Sequence, residues 1–372
     1  MLKKKAMIYP VDRESIPLIR YNSLIKEYDI AYAVSPIGWG LEGKDCGTID
    51  GGNGVNKIIT TDFESVLNLC DTVIFIPSDK IVDFEKIIYP KFKMAMELEK
   101  EIICAIDIPN NYKEVIEKMC KDKELKYKQY QLKEDKSYEE INKEYLYDIN
   151  VPVIGVFGIS ERTGKFNMQL AIREKLVAEG YKVSQVGSRH YCELLGFHSF
   201  PKFMMNNTLS ESNKVMLFNH YLKKIELDEN PDVIIVGIPG GVMPYSNRYT
   251  NRFGILAFEV CNAVSFDFVI MNILYNDYNK DYFSSIKNCL RYRLDLEVDG
   301  FNITPLKGDF STLDSINRFE YLTLNSEFID DKLKLFNNDN QRVFNIFNDG
   351  NKDELVVFLE DKLSSYSDIQ CI

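Results

Sequence analysis

The residues best suited to chemistry in this sequence are the Gly-Lys pair at Gly164 and Lys165 and the polar loop that precedes it. An apolar run rich in β-branched residues, 151–157, leads into the loop and predicts a buried parallel strand. Apolar residues spaced four apart follow Lys165 and predict a helix that stops at Gly180. In such a strand, loop and helix, backbone amides at the helix N-terminus face an anion and the lysine adds positive charge. The segment therefore predicts a site for a phosphorylated ligand.

This loop differs from the common phosphate-binding pattern at two points. The spacing from Gly158 to Gly164 is one residue longer, and Phe166 stands where a Ser or Thr hydroxyl usually holds Mg²⁺. The longer loop, with Glu161 inside it, resembles that of dethiobiotin-synthetase-type P-loop proteins. ATP or GTP is the expected ligand, with a CoA thioester as the alternative. The predicted ligand-binding residues of the loop are Gly158, Glu161, Arg162, Thr163, Gly164 and Lys165.

A second glycine-rich turn follows the strand predicted at Val233–Val236. A nucleotide hydrolase needs an acid near the end of this strand to hold Mg²⁺ or water, and the turn contains none. Glycine at this place indicates that a ligand or another backbone passes close by, so Gly237 and Gly240 join the predicted ligand-binding set. Together with Phe166, the missing acid predicts binding without conventional hydrolysis. The opposing interpretation is a vestigial loop whose Gly-Lys pair has no ligand.

Another glycine-rich segment lies nearer the N-terminus, between Gly38 and Gly54. It follows a predicted strand and contains the only tryptophan of the chain. Long glycine-rich loops are costly to order and often form binding surfaces, and ligands of open α/β sheets bind at the carboxyl ends of strands. The alternative is an ordinary mobile surface loop. The predicted substrate-binding residues of this segment are Trp39, Gly40, Gly43, Lys44 and Asp45.

The histidines and cysteines give weaker indications. His198, in the segment that follows the predicted strand Lys182–Val186, is a candidate to flank a phosphate or to transfer a proton, but a solvent-facing or structurally bonded histidine is the favoured explanation. The eight cysteines have no close pairs, which indicates neither a zinc nor an iron–sulfur site and favours reduced thiols. No metal site is predicted, and no catalytic residue can be assigned.

Composition limits the class of protein. The chain has 372 residues, enough for two α/β domains, and it is 45% apolar and 27% charged, as ordinary globular proteins are. A net charge of −11 argues against nucleic acid or an anionic membrane as the main partner. The N-terminus lacks the apolar core of a signal peptide, and the most apolar stretch, 253–274, is interrupted by polar residues. A cytoplasmic location is expected.

Strand and helix patterns alternate along the chain, which predicts an α/β fold of two doubly wound, mostly parallel sheets. We expect a Rossmann- or flavodoxin-like domain of about four strands over residues 1–130, with helices at Ser15–Lys26 and Phe84–Glu99. A charged connector follows at 131–150, because glycine, proline and the alternation all lapse there. A P-loop-like α/β domain is predicted over 151–372.

Several of these segments together resemble a family of peptide maturation system proteins. The likeness covers most of the chain and includes the opening strand and helix, the glycine-rich loop, GISERTGKFNMQL, GFHSFP and VIIVGIPGG. It implies an accessory role in maturing a ribosomally made, Cys-rich peptide, with the precursor peptide and a radical-SAM maturase as partners. The second domain is also similar, through its loop alone, to P-loop proteins thought to include acyl-CoA-using transferases.

Three functions therefore stay open. The first is an accessory protein whose degenerate P-loop binds a nucleotide or another phosphorylated ligand. The second is an acyl-CoA- or ATP-dependent group transferase, and the third is a non-enzymatic peptide-binding scaffold. A homo-oligomer is compatible with each of them.

Overall fold

The computed structural model describes residues 3–131, 145–247, 250–309, 320–337 and 341–367. The chain divides into two compact units, one formed by Met1–Gln131 with Glu193–Gly196 and the other by Leu132–Cys192 with Phe197–Ile372. Each unit is built on its own mostly parallel sheet, which confirms the predicted α/β fold class. Of the predicted connector, residues 132–144 lie outside the described part of the chain. Among the helices in the described ranges, none has the length and apolar character needed to cross a bilayer.

The first unit carries a six-stranded sheet in the order β3-β2-β1-β4-β5-β6, and every pairing is parallel. Its strands are β1 (Lys4–Tyr9), β2 (Tyr28–Val34), β3 (Ile59–Thr60), β4 (Thr72–Phe75), β5 (Glu101–Cys104) and β6 (Tyr127–Gln129). Its α-helices are α1 (Ile16–Arg20), α2 (Phe63–Leu67), α3 (Tyr89–Glu97) and α4 (Asn110–Asp122). The order is that of dinucleotide-binding folds, with more strands than the four predicted.

Two predicted helices of this unit are interrupted. The prediction over Ser15–Lys26 is wrong in extent, because α1 is only five residues long and is followed by a separate 3₁₀ turn. The Asn22 side chain explains the break, since its Oδ1 accepts from Ile30 N at 2.9 Å and its Nδ2 donates to Asp29. The Asn22 side chain thus forms hydrogen bonds to residues of β2, and these bonds compete with continuation of the helix. The helix predicted at Phe84–Glu99 begins as a π-helical turn, Phe84–Ile88, before α3.

The second unit has its sheet in the order β13-β12-β11-β7-β10-β8-β9, with β14 also paired to β12. Its strands are β7 (Val153–Gly158), β8 (Val183–Gly187), β9 (His198–Ser199), β10 (Val233–Gly237), β11 (Phe268–Tyr275), β12 (Gly300–Asp309), β13 (Glu320–Thr323) and β14 (Arg342–Phe344). Its α-helices are α5 (Lys165–Ala178), α6 (Glu211–Glu229), α7 (Ile255–Ala263), α8 (Lys280–Leu294), α9 (Ser326–Phe336) and α10 (Asp349–Ser367). Within the described part, β13 is the one strand that pairs antiparallel.

Short 3₁₀ turns complete the description of regular structure. They lie at Arg13–Ser15, Asn22–Leu24, Cys46–Thr48, Cys192–Leu195, Lys202–Met205 and Asn251–Gly254.

The core of the second unit lies around its central strands. Every residue of β7, β10 and β11 is buried, as expected for parallel strands covered on both faces. Because β7 runs parallel between β10 and β11, the loops that follow β7 and β10 leave side by side from the carboxyl edge of the sheet. Open α/β sheets bind their ligands at this edge.

Candidate functional site

The loop between β7 and α5 is shaped by its glycines. Gly164 has a φ of +77° immediately before α5, a conformation that L side chains rarely adopt. A β-carbon on Gly164 would also lie 2.8 Å from Thr304 Oγ1, and one on Gly158 would lie 2.2 Å from Thr163 Oγ1. Neither position can carry a side chain in this conformation, so the predicted loop depends on both glycines.

A ladder of asparagines fixes the start of the loop. The side chain of Asn272 in β11 donates through Nδ2 to Phe157 O at 2.8 Å. The backbone carbonyl of Asn272 accepts from Ile159 N at 3.0 Å. Asn302 in β12 donates to Asn272 Oδ1 at 3.0 Å and accepts from Ile346 N at 3.2 Å. Asn272 and Asn302 are fully or almost fully buried, and satisfied buried polar networks hold one arrangement firmly. The loop therefore begins from a rigid point.

Lys165 is the central charge of the site. Its ammonium donates to Ser160 O at 2.9 Å and to Gly240 O at 2.5 Å, and the residue is only 7% exposed. Among the described residues, no carboxylate forms an ion pair with it. The pKa of Lys165 is lowered to about 8, chiefly by burial; Glu161 opposes this shift and Arg189 adds to it. The structure thus brings together Lys165 from one predicted turn and Gly240 from the other.

The other loop residues point in different directions. Thr163 is fully buried, and its hydroxyl donates to Ser160 O at 3.1 Å, inside the loop. Arg162 has a φ of +61°, and its guanidinium lies 5.2 Å from the centre of the Tyr321 ring. Glu161 lines a cavity beside the loop. Of the three, Glu161 is therefore the side chain placed to meet a second molecule.

The two departures from the common pattern have structural explanations. Phe166 is 4% exposed and packs edge-on against Tyr191, with a ring distance of 6.1 Å, so it belongs to the apolar packing of α5. A β-carbon on Gly237 would lie 1.9 Å from Gln169 Nε2. What passes close to Gly237 is thus a side chain, where the sequence suggested a ligand or a backbone. Within the described ranges, no group of three or more His, Cys, Asp or Glu residues is placed to hold a metal ion.

A cavity of about 400 Å³ adjoins the loop on the β10 side. Its wall includes Glu161 from the loop and Gly240 from the turn after β10. Lys214 from α6 and Glu259 from α7 form an ion pair of 3.3 Å in this wall, with side chains 11% and 2% exposed. Burial raises the pKa of Glu259, and Lys214 opposes the shift. Sequence reasoning missed these residues; the one available signal was an isolated acid within an apolar helix.

His198 has a structural partner. Its Nε2 lies 2.5 Å from Glu229 Oε1, and Glu229 also accepts from the Ser184 hydroxyl. Hydrogen bonds from Ser184 and His198 lower the pKa of Glu229 against the opposing effect of burial. None of the described contacts of His198 involves a residue of the loop 158–165.

The glycine-rich segment of the first unit is internally braced. Asp45 accepts from Gly47 N and from Val55 N, both at 2.8 Å, so this predicted substrate-binding carboxylate holds the loop itself. Gly40 and Gly43 have φ values of +70° and +74°. These contacts make the segment a defined turn structure.

Arg20 adds a second brace to the same segment. It pairs with Asp50 at 2.7 Å and donates to Gly47 O at 2.8 Å and to Asn53 O at 2.9 Å. Lys44 is exposed, and Trp39 is half-buried with the Lys80 ammonium 4.5 Å from its ring centre. Trp39 and Lys44 are therefore the predicted binding side chains that stay accessible here.

The comparisons with known proteins give information on the fold and none on a ligand. A scan against protein-family models finds no match, and a search of curated proteins finds none. Among solved structures, the chain is similar to a DUF1611 family protein from Anabaena variabilis, with a TM-score of 0.53 and 10% identity. The similarity covers 81% of this chain and 88% of that one. At this identity it supports the α/β fold alone.

Proposed function

We propose that the second unit binds a phosphorylated ligand at the loop 158–165, as part of an accessory protein in the maturation of a ribosomally made, Cys-rich peptide. The ligand is ATP or GTP, or alternatively a CoA thioester. One observation carries the binding proposal: the Lys165 ammonium lies almost fully buried at the start of α5 with only carbonyl oxygens as partners.

A buried cation without a carboxylate in contact with it is unfavourable, because carbonyl dipoles replace only part of its lost hydration. The N-terminus of α5 adds to the positive potential, since its first amides have no acceptors within the helix. An anion at this point would balance the charge of Lys165 and accept from the free amides of α5. Phosphate is the anion that such helix N-termini commonly bind. The charge balance of the loop thus favours a phosphorylated ligand over a neutral one.

The first unit supplies the proposed contact with the precursor peptide or the radical-SAM maturase. Trp39 is half-buried and Ile37, two residues before it, is 85% exposed; tryptophan is one of the residues enriched among the energetic anchors of interfaces. The maturation role itself rests on the sequence resemblance. A cytoplasmic location agrees with the free thiols of the seven cysteines that the structure describes.

A second candidate function, group transfer, is favoured by the cavity. Because Glu161 of the loop and Gly240, whose carbonyl binds Lys165, both line the cavity, a donor at the loop and an acceptor in the cavity would be neighbours. The acceptor nucleophile would bond to the acyl carbon or the γ-phosphorus while the C–S bond to CoA or the P–O bond to ADP breaks. The proton of the nucleophile would pass to a carboxylate such as Glu161. Turnover of either donor would separate this function from a scaffold.

Calorimetry with ATP, GTP and acetyl-CoA tests the binding proposal. Loss of one charge-assisted hydrogen-bond donor costs about 1.5–3 kcal/mol, so Lys165→Ala should weaken binding roughly 10- to 100-fold. Lys182→Ala is the matched control, since Lys182 is an exposed lysine of the same unit, and it should bind as the wild type does. Equal affinities in wild type and Lys165→Ala for every ligand would contradict the proposal.

A further inference from the structure

Arg189 brings a second positive charge to the loop 158–165. It lies two residues after β8, and the central carbon of its guanidinium is 5.7 Å from the centre of the Phe166 ring. Phe166 follows Lys165 directly in the first turn of α5. Because β7, β10 and β8 are parallel neighbours, the loops after these three strands leave the sheet at the same edge. Arg189 therefore lies beside the N-terminus of α5, where the phosphorylated ligand is proposed to bind.

The charge of Arg189 acts on Lys165. The pKa of Lys165 is lowered chiefly by burial; Glu161 opposes the shift and Arg189 adds to it. Cations that lie near one another repel, and an anion that contacts both of them removes this repulsion. Glu161 is exposed, so water and salt screen its charge more strongly than that of the buried lysine. A phosphate group at the loop would thus meet two cations from different parts of the chain.

The chemistry of arginine suits a phosphate group and excludes a metal ion. The guanidinium has five N–H donors and no acceptor, and its planar fork matches the oxygens of a phosphate. Arg189 is half-buried, and the face of an aromatic ring at this distance attracts a guanidinium. Phe166 stands where a hydroxyl usually holds Mg²⁺. The side chain that replaces this hydroxyl is therefore in contact with a cation of the protein itself.

The residues around this point do not fit a Mg²⁺ ion. Magnesium needs oxygen ligands in an octahedral arrangement, and loops of this type supply them from a hydroxyl after the lysine and an acid near the neighbouring strand. Phe166 has no oxygen. Beside Gly237, the space is filled by Gln169, which is fully buried and whose Oε1 accepts from Gln185 Nε2 at 3.4 Å. Both usual metal-holding positions are thus occupied by groups that cannot serve a metal at the loop.

We propose that Arg189 takes the place of Mg²⁺ at this site, so that the loop binds phosphate groups that carry no divalent metal ion. The inference rests on the proposed function and deepens it by naming the class of ligand. The triphosphate of ATP chelates Mg²⁺, so the metal-free form and the Mg²⁺ complex of ATP are different ligands for this site. CoA thioesters hold Mg²⁺ far more weakly, and their binding should not depend on the metal.

Calorimetry on the full chain tests the inference with three probes: ATP in EDTA, ATP in excess Mg²⁺, and acetyl-CoA under both conditions, all at one ionic strength. Metal-free ATP should bind roughly tenfold tighter than MgATP or more, because Mg²⁺ neutralises phosphate charges and meets two cations at the loop. The affinity for acetyl-CoA should change by no more than about twofold between the two conditions.

Substitutions of Arg189 test its role directly. Arg189→Ala should weaken the binding of metal-free ATP and of acetyl-CoA roughly 10- to 100-fold, the effect of losing one charged hydrogen-bond donor. It should also reduce the preference for metal-free ATP over MgATP to about threefold or less. Arg189→Lys keeps a positive charge that can bind phosphate, and its affinities should stay within about tenfold of wild type. Arg291→Ala is the matched control, since Arg291 is an exposed arginine of the same unit, and it should bind as the wild type does.

Thermal unfolding without ligand separates binding from packing. The contact between Arg189 and the Phe166 ring contributes little at a half-exposed position, so Arg189→Ala should lower the melting temperature by no more than about 3 °C. A larger drop together with unchanged affinities would make Arg189 a packing residue of α5 and would overturn the inference.

The inference and the loop proposal fail in distinguishable ways. If MgATP binds as tightly as metal-free ATP or more tightly, or if Arg189→Ala leaves the affinities unchanged while Lys165→Ala weakens them, the role of Arg189 is wrong and the loop proposal stands. If Lys165→Ala changes the affinity for no phosphorylated ligand, with or without Mg²⁺, both are wrong.

Discussion

The side chain of Gln169, from the second turn of α5, lies directly against the α-carbon of Gly237 at the end of β10. A β-carbon on Gly237 would be 1.9 Å from Gln169 Nε2, well inside van der Waals contact. Gln169 is fully buried. The position at which a nucleotide hydrolase keeps an acid is thus covered by a glutamine, and this contact joins the helix after the loop to the neighbouring strand.

Gly237→Ala should destabilise the protein by about 1–3 kcal/mol, the usual cost of overpacking a core. In the double variant Gly237→Ala/Gln169→Ala the added methyl has room, so the destabilisation should be smaller than the sum of the two single effects. Denaturant unfolding of the four proteins measures this coupling. Strict additivity would show that the cost of the added methyl does not come from Gln169.

Binding of the phosphorylated ligand should weaken as the pH rises through about 8. Burial lowers the pKa of Lys165 to about 8 from 10.5, so the free site loses its charge in that range. The unfolded chain binds the extra proton between these two values, and the stability contribution of Lys165 therefore rises with pH from about 8 to about 10.5. Calorimetry between pH 7 and 9.5 should show proton uptake on binding at the upper end. Lys165→Ala should show neither effect; a pH-independent affinity in the wild type would contradict the assignment.

Hydrolysis of ATP should be slow, below about 10⁻² s⁻¹, a rate typical of weakly active nucleotide hydrolases. The reason is that Phe166 offers no oxygen and the turn directly after β10 contains no acid. The two residues that usually hold Mg²⁺ are therefore missing. A phosphate-release assay with and without Mg²⁺ measures the rate, and Lys165→Ala controls for contaminating activity. Mg²⁺-dependent turnover at about 1–100 s⁻¹, the range of kinases, would refute the prediction.

Arg20→Ala should loosen the glycine-rich segment of the first unit. It removes three hydrogen bonds, one of which is the ion pair with Asp50, whose side chain is 2% exposed. Breaking a buried ion pair typically costs about 3–5 kcal/mol, and hydrogen exchange in the segment 38–54 should rise with it. Lys44→Ala, at an exposed position in the same segment, should change stability by no more than about 0.5 kcal/mol. Unchanged exchange in Arg20→Ala would show that Asp45 alone braces the segment.

Trp39→Ala should leave stability nearly unchanged, within about 1 kcal/mol. Trp39 is half-buried, and its described aromatic contact is a cation–π pair with Lys80, worth about 0.5–1 kcal/mol at exposed sites. The affinity for the precursor peptide or the maturase, measured with the partner immobilised on a biosensor surface, should nevertheless fall. A large drop in melting temperature with unaltered association would mark Trp39 as a structural residue.

The sequence predicts the central part of the second unit well. The apolar run before the loop, the helix after Lys165 and the strand at Val233–Val236 all appear with boundaries within two residues of those predicted. Their signals are strong because each element lies in the core and shows a long run or a helical period.

What the sequence misses has a common cause in contacts between distant residues. The strands β3 and β9 have two residues each, too few for a periodic pattern, and they exist because neighbouring strands pair with them. The cavity joins Lys214 to Glu259 across 45 positions of the chain. Asp45 looks like a binding carboxylate until the structure shows that amides of its own loop occupy it.

The edge of the second sheet beside β12 is built in a way that opposes aggregation between copies of this chain. The first seven residues of β12 are buried, and one side of that strand would offer a long row of amides and carbonyls to any passing strand. The chain closes this side twice, with β14 on Gly300–Asn302 and β13 on Leu306–Asp309. Both covering strands are too short to template further pairing, a common defence of sheet edges against aggregation. Without β13 and β14 in place, this side of β12 would be an open sheet edge, and open edges are where copies of a chain can pair and aggregate.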